Sequence, residues 1–419
     1  MTTEHTAAPH TNPAGGSHSR TPRVLLLGPN ELGDELVIAF RRLGVDVYTA
    51  TGCDEHAVLD HCIDVQPDIV LPMSDRVSIS ALRGLEERGI TVIPSAHACA
   101  CTRDRKAMYR AAESLGLPVA AHQFASSEQE LETAVAELGY PCMVKRNSGT
   151  ADGEQYLVRD EGGIGKAWHS LQHPNEDKLT AVVERYVDFD YEMTLLAVRS
   201  IDPATGALAT WFSEPIGHQH AGGKLAEAWQ PLEMSQRALE NARSVAARIS
   251  NELGGRGLYG VELFVAGDDV YFSAVTPRPL DTGILTSYTQ RLSQYQLHAR
   301  AALGYPIDVT LTSPGAAVVV ADLDGGVLDG GALGAVASSG SALFGGASSA
   351  AATSGTASDG MALSGLAEAL AYAETDFRVF GESGAGVRGL VVTTAETVAE
   401  AQDKAALAAG KVRLTGGEG

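Results

Sequence analysis

The segment from Gly260 to Gly283 constrains the fold of this chain more than any other part of the sequence. Two apolar runs, Val261 to Val265 and Val270 to Val275, flank the sequence Gly267-Asp268-Asp269, a pattern typical of a β-hairpin. The second run ends at Pro277-Arg278-Pro279, where two fixed proline φ angles indicate a rigid exit from the strand.

Glu262 is an acid within a run otherwise made of Val, Leu and Phe. Burying a carboxylate is costly unless a cation or hydrogen bonds replace its lost hydration. An oxygen ligand for Mg²⁺ would meet that need. From the residues alone, an edge-strand acid facing water remains the alternative.

The N-terminal region begins with a strand, a turn and a helix. Arg23 to Gly28 has the pattern of a buried strand, and the apolar positions of the next helix share one face; they are Leu32, Leu36, Phe40 and Leu43. A dinucleotide fingerprint is excluded because Asn30 stands at its middle glycine, and because no acid ends the next strand at Tyr48 to Ala50.

Charge and cysteine content restrict the class of protein. The net charge of −21 over 419 residues argues against a nucleic-acid or anionic-membrane surface. No apolar run approaches the length of a membrane span. Five scattered cysteines favour reduced thiols in a cytoplasmic protein over a disulfide framework.

Two segments of the chain differ in composition from the rest. Residues 1–20 are polar and are predicted to be a disordered tail. Residues 324–364 are dominated by Gly, Ala and Ser, and this composition predicts a flexible insertion. Closing strands are expected within 376–394 and a helix over 397–409.

Several motifs together resemble one enzyme family. Gly260-Val-Glu-Leu-Phe264, Pro277-Arg-Pro279, Asp281-Thr-Gly283 and Gly139-Tyr-Pro-Cys-Met-Val-Lys145 resemble the formate-dependent phosphoribosylglycinamide formyltransferases, ATP-grasp enzymes of purine synthesis. The resemblance covers about residues 22–320 and resumes near the C-terminus. It is carried by the order and spacing of the motifs.

The resemblance implies an ATP-grasp fold of mixed α/β and α+β class. A Rossmann-like pre-ATP-grasp domain is expected at 21–117 and the ATP-grasp domain at 118–306, with its lid at about 118–190. A small β-rich C-terminal domain containing the insertion is expected at 307–419.

The resemblance also implies the cofactors, the partners and the site. ATP and Mg²⁺ would be bound, formate or another small carboxylate would be activated, and an amine, nominally glycinamide ribonucleotide, would accept it in a homodimer. Lys145 and Glu262 are expected to be catalytic, with Glu262 also the metal ligand. The remaining expected site residues bind the nucleotide (Arg105, Lys145, Glu184, Val187 and Glu192) or the amine substrate (Glu31, Leu32, Asp281 and Arg388).

The chain departs from the family pattern at positions that matter for chemistry. Ala274 replaces the second metal-binding glutamate, and Asp152-Gly153-Glu154 replaces a lysine-containing loop that closes over the triphosphate. At the substrate end, Met73, Glu382 and Val387 replace residues that grip the ribonucleotide. Two alternatives therefore stay open: a paralogue acting on a different amine, and a catalytically impaired nucleotide-binding protein.

His218 and His220 alternate along a predicted strand. Side chains at such positions share a face and could bind a transition metal. A plain surface pair is favoured at this point, because two ligands do not complete a metal site.

Overall fold

A computed structural model describes residues 20–148, 155–172, 179–221, 224–321, 362–380 and 388–415. Most of the predicted N-terminal tail and most of the predicted insertion lie outside these ranges. So do Asp152 to Glu154, Glu382 and Val387. Within the described ranges, no helix combines the length and apolarity that crossing a lipid bilayer requires.

The N-terminal region is a parallel four-stranded sheet of order β2-β1-β3-β4 with helices between its strands. The predicted strand, turn and helix are confirmed, and Leu36 and Phe40 are fully buried. The elements are β1 (Arg23–Leu27), α1 (Glu31–Arg42), β2 (Asp46–Ala50), α2 (Glu55–Val65), β3 (Ile69–Pro72), α3 (Ile79–Glu87), β4 (Thr91–Val92), α4 (Ala96–Arg103) and α5 (Arg105–Ser114).

A second layer, the lid sheet, has four antiparallel strands in the order β5-β8-β6-β7. Its two helices pack their apolar faces, including Leu131, Val135 and Trp168, into one core with the strands. The elements are β5 (His122–Ala125), α6 (Glu128–Leu138), β6 (Cys142–Arg146), β7 (Gln155–Val158), α7 (Ile164–Ser170) and β8 (Ala181–Arg185).

The largest layer, the central sheet, has nine strands: β14-β13-β9-β11-β12-β15-β18-β17, with β10 paired to β9. Its first elements are β9 (Tyr191–Ile201), β10 (Leu208–Phe212), β11 (Ile216–Ala221), β12 (Lys224–Gln230), α8 (Gln236–Leu253), β13 (Gly257–Ala266), β14 (Asp269–Thr276), α9 (Thr286–Thr289) and α10 (Gln294–Leu303). The hairpin predicted from Gly267-Asp268-Asp269 is confirmed as β13 and β14.

The chain then adds β15 (Gly315–Ala321), β16 (Ala362–Ser364), α11 (Leu366–Ala369), β17 (Thr375–Phe380), β18 (Arg388–Thr394), α12 (Val398–Ala409) and β19 (Arg413–Thr415). The last three residues of the predicted insertion, Ala362–Ser364, pair with Arg413–Thr415. Such pairing between segments far apart in the chain cannot be seen in composition alone.

Alternation along β9 places its two faces in different cores. Met193 and Leu195 pack in the cluster that contains α8, whereas Leu196 and Val198 pack in the cluster that contains α10. Glu192 belongs by alternation to the second face. The sheet therefore holds this carboxylate at a fixed position near one end of a buried strand.

Candidate functional site

A central pocket lies where helix α5, the lid sheet and the central sheet meet. It brings together four of the residues predicted from the sequence and both histidines. Its lining residues are Arg105, Lys145, Gln155, Glu192, His218, His220, Glu262, Leu263, Phe264, Ser273 and Ala274.

Lys145 on β6 is held by a buried ion pair. Its Nζ donates to Glu184 Oε2 over 2.7 Å, and the Tyr109 hydroxyl donates to Glu184 Oε1 over 2.6 Å. Both Lys145 and Glu184 are buried. Burial alone would raise the pKa of Glu184, but the ammonium and the hydroxyl outweigh it and hold that pKa below its ordinary value. The Lys145 side chain is thus fixed in the pocket wall.

Arg105 begins α5 and is tied to the segment that follows β6. Its backbone N–H donates to the Asn147 carbonyl over 3.0 Å, and its Nε donates to the Arg146 carbonyl over 3.0 Å. The Asn147 side-chain oxygen accepts from the Lys106 N–H over 2.9 Å. These bonds place Arg105 beside Lys145 in the pocket wall and give the pocket two cationic side chains.

Glu262 and Ala274 are directly opposite each other across the β13–β14 hairpin. Residues opposite each other in an antiparallel pair share one face of the sheet. A register shift after Glu262 leaves Ser273 as the extra residue of a β-bulge, and Ser273 also lines the pocket. Glu262, Ser273 and Ala274 thus face the same pocket, and Glu262 is the carboxylate among them.

Glu192, His218 and His220 form a cluster on the same side of the pocket. Glu192 and His218 are opposite each other in the β9–β11 register. Glu192 Oε2 lies 2.7 Å from His220 Nδ1 and 3.5 Å from His218 Nδ1. Burial alone would raise the pKa of Glu192, but the two imidazoles beside it lower that pKa to about 2. The carboxylate is therefore ionised at neutral pH.

The residues present fit Mg²⁺ through a single protein carboxylate. Within the described ranges, no side chain hydrogen-bonds to or forms an ion pair with Glu262, so its oxygens are available. Mg²⁺ in phosphoryl-transfer sites is commonly held by one or two carboxylates together with substrate phosphates. Glu262 would hold the ion with fewer protein ligands than a two-carboxylate site.

The other predicted nucleotide residues occupy different positions. Val187 is half-buried in the connection between β8 and β9, close to the lid. Glu184 directs its carboxylate to Lys145 and Tyr109. Its side chain therefore orients the cation, and any contact of this segment with a nucleotide base would use the backbone.

The predicted substrate residues are spread over three elements. Asp281 begins a 3-10 helix, Asp281–Leu285, and is half-buried. Glu31 begins α1 and Arg388 begins β18. Leu32 is buried in the core cluster of α1, so a contact to substrate from this position would use its backbone.

A neighbouring pocket adjoins the central one through Arg105 and Ala274. On its wall Arg278 Nη2 pairs with Asp75 Oδ1 at 2.9 Å. Met73 is buried in the core. This position therefore carries no charge, and its apolar side chain packs inward.

Three residues that line or support the central pocket were missed by sequence reasoning. Tyr109 is an ordinary buried position of the amphipathic helix α5, and no motif marks it. Gln155 begins β7 and Ser273 occupies the bulge. A bulge arises from pairing between strands, so a single-strand pattern carries no signal for it.

Comparison with known proteins identifies the chain's relatives. A model of the ATP-grasp domain matches residues 110–295. The chain is 43% identical to the formate-dependent phosphoribosylglycinamide formyltransferase of Corynebacterium efficiens, over 94% of this chain and 96% of the relative. The enzyme of the same name from Paraburkholderia xenovorans is 38% identical over 93% of this chain and 95% of the relative.

Solved structures show the same architecture. A structure described as glycinamide-RNase-transformylase T from Mycobacterium tuberculosis superposes with a TM-score of 0.71 at 30% identity, covering 94% of this chain and all of the other. A carboxyaminoimidazole ribonucleotide synthase from Aspergillus clavatus, complexed with ATP, gives a TM-score of 0.75 at 19% identity, covering 94% of this chain and 99% of the other; at that identity the likeness shows the fold alone. The relatives and the shared architecture together establish that the chain belongs to the formate-dependent phosphoribosylglycinamide formyltransferase family of ATP-grasp proteins.

Proposed function

We propose that this protein is an ATP-dependent ligase that activates formate and transfers the formyl group to the amine of glycinamide ribonucleotide. The observation that carries the proposal is the convergence of Arg105, Lys145 and Glu262 on one pocket, in a chain 43% identical to enzymes named for that reaction. Two basic side chains and one acidic side chain in one cleft suit a nucleoside triphosphate and its metal ion.

The protein's part in the first step is positioning and charge neutralisation. A formate oxygen attacks the γ-phosphorus of ATP, the bond to the β-phosphate oxygen breaks, and ADP leaves with formyl phosphate remaining. Lys145, held by Glu184, and Arg105 would face the phosphates as negative charge moves to the leaving oxygen. Because their geometry is fixed beforehand, little reorganisation is needed during the reaction.

The second step joins the amine to the activated carbon. The amine nitrogen attacks the formyl carbon, phosphate leaves, and the nitrogen loses one proton to solvent or to the departing phosphate. Asp281, with Glu31, Leu32 and Arg388, would bind the amine substrate. Val187 and Glu192 would contact the adenosine portion of ATP.

Mg²⁺ would supply charge neutralisation at the phosphates when bound. Glu262 would hold it, and Ser273 lies on the same pocket wall. The affinity of this site for Mg²⁺ is expected to be lower than that of a site with two carboxylates, because Ala274 contributes no ligand.

We also infer that the working form is a cytoplasmic homodimer, as the family resemblance implies. All five cysteines are free thiols, a state that suits a reducing compartment. Light scattering of the purified protein should give twice the chain mass of 43.7 kDa; the mass of a single chain would contradict a dimer.

The proposed activity is tested by ADP release with Mg·ATP and formate, with and without glycinamide ribonucleotide. We expect release that depends on the ribonucleotide. Lys145→Met should abolish it, whereas Lys166→Met, on the exposed face of α7, should retain it. Nucleotide binding without release would instead identify an impaired nucleotide-binding protein, and release with another amine would identify a paralogue.

A further inference from the structure

We propose that Glu192, His218 and His220 form a binding site for a divalent transition-metal ion such as Zn²⁺ or Co²⁺. This site is distinct from the Mg²⁺ position at Glu262, because its donors are two imidazoles and one carboxylate. Two histidines with one acid form a ligand set typical of Zn²⁺, with a further position left open. Mg²⁺ prefers oxygen ligands.

The geometry of the three side chains fits such an ion. One ligand atom from each residue lies within 4.8 Å of the others. Glu192 Oε2 lies 2.7 Å from His220 Nδ1 and 3.5 Å from His218 Nδ1. Bond lengths of about 2.0–2.1 Å to a tetrahedral ion would place ligand atoms roughly 3.3 Å apart. Small side-chain movements would therefore bring the three donors to coordination distance.

His218 provides a second observation that points to a ligand. Its side chain is only 3% exposed, and neither ring nitrogen has a hydrogen-bond partner among the described residues. A buried polar group left unsatisfied costs about 1–3 kcal/mol. The acceptor Glu192 Oε2 lies 3.5 Å from Nδ1 without forming a hydrogen bond, so coordination of an ion would give the imidazole a partner at bonding distance.

The backbone fixes the three donors in relation to each other. His218 is opposite Glu192 across the β9–β11 ladder, and His220 is two residues farther along β11. The two rings meet edge to face with centroids 5.0 Å apart. The pairing of β11 with β12 has a register shift between Gln219 and His220, and such a bulge bends the strand locally. The site is therefore built on paired strands.

Metal binding at these residues also requires the loss of a proton. The three side chains offer one carboxylate and two imidazoles as donors. An ion bound at His220 Nδ1 would replace the proton that this nitrogen now directs to Glu192, and that proton would leave to solvent. No oxidant or further reactant is needed.

Co²⁺ and Zn²⁺ titrations of the nucleotide-free protein test the site. We expect one Co²⁺ per chain, a visible absorption band typical of nitrogen and oxygen ligands, and displacement by Zn²⁺. His218→Ala and His220→Ala should each weaken binding at least tenfold, since loss of a direct ligand should cost no less than loss of a residue that orients one. His220→Gln keeps a hydrogen-bond donor for Glu192 and should weaken binding equally.

Two controls exclude other sources of binding. His56→Ala removes an exposed histidine that lies 3.4 Å from Asp60, and it should leave the titration unchanged. Sulfur-to-cobalt charge-transfer bands would instead indicate binding by cysteines such as Cys53, which is partly exposed. Those bands, the absence of a visible Co²⁺ band, or equal affinity in folded His220→Gln and the parent protein would overturn the proposal. Because the readout uses the metal alone, its failure would leave the proposed ATP-dependent activity standing.

Discussion

Among single residues, Glu184 has the clearest predicted effect on stability. Glu184→Gln removes the partner of a buried ammonium, and breaking a buried pair typically costs about 3–5 kcal/mol. We expect a loss of about 3 kcal/mol in the free energy of unfolding, measured by urea denaturation at pH 7. The matched control is Glu374→Gln, which breaks a pair with Lys404 at 3.0 Å where the acid is 60% exposed. It should cost at most about 1 kcal/mol. Equal losses in the two variants would refute the structural role of the buried pair.

The stability contribution of Glu184 should also depend on pH. Its pKa in the folded protein lies below the ordinary value of 4.5. A group with a lowered folded pKa stabilises the protein above its unfolded pKa, and that contribution disappears as the pH falls through the folded value. The difference in unfolding free energy between the parent and Glu184→Gln should therefore be constant near pH 7 and shrink below about pH 4.5. A difference in unfolding free energy that instead grows as the pH falls would contradict this prediction.

Ala274 is the residue at which the metal site can be rebuilt. Ala274 faces the same pocket as Glu262 across the hairpin, so Ala274→Glu would add a second carboxylate beside the first. We expect the Mg²⁺ concentration for half-maximal ADP release to fall at least tenfold, about 1.4 kcal/mol of binding energy. Ala274→Gln has the same length without the charge and should not produce this shift. Similar Mg²⁺ dependence in the two variants would mean that position 274 does not ligate the ion.

Among the elements, the N-terminus of α5 connects local helix stability to the pocket. Asp104 accepts from the Ala107 N–H over 3.1 Å and from the Asn147 side-chain amide over 3.2 Å. Asp104→Ala should cost about 1 kcal/mol, as loss of a helix cap usually does. It should also raise the KM for ATP several-fold, because Arg105 is the next residue.

Ser127→Ala provides the matched comparison for that prediction. Ser127 caps α6 of the lid by accepting from the Glu130 N–H over 3.2 Å, and it does not line the central pocket. Its loss should lower stability by a similar amount with no change in the KM for ATP. Equal KM values for the Asp104 and Ser127 variants would show that the Asp104 cap does not position Arg105 for ATP binding.

Elements with strong local patterns were predictable from the sequence. Helix α8 repeats its buried apolar residues along one face, and α8 and α10 stop at Gly254 and Gly304, where a positive φ favours glycine. The hairpin follows from its turn residues. The Glu184 ion pair and the Ser273 bulge were not predictable, because each depends on contacts between strands that no local pattern records.

In the whole molecule, the order of strands in the central sheet was the least predictable feature. Strand β12 pairs with β15, and β15 pairs with β18, so strands from beyond residue 306 continue the sheet of the ATP-grasp region. Pairings between segments separated by many residues depend on the whole chain's packing. The proposed domain boundaries, at about residues 117 and 306, therefore stay predictions.

One ligand should couple the lid sheet to the central sheet. The central pocket takes Lys145 from the lid and Glu262 from the central sheet, so a nucleotide that contacts both would hold the two layers together. ATP at about 100 times its Kd should stabilise the folded protein by about 2.7 kcal/mol. Hydrogen exchange should then slow in β6 and β8 as well as in β9 and β13. Lys145→Met should lose the protection in the lid, while Lys166→Met should keep it. Protection confined to β9 and β13 in the parent protein would mean that ATP binds to the central sheet without engaging the lid, and the phosphate role of Lys145 would then have to be abandoned.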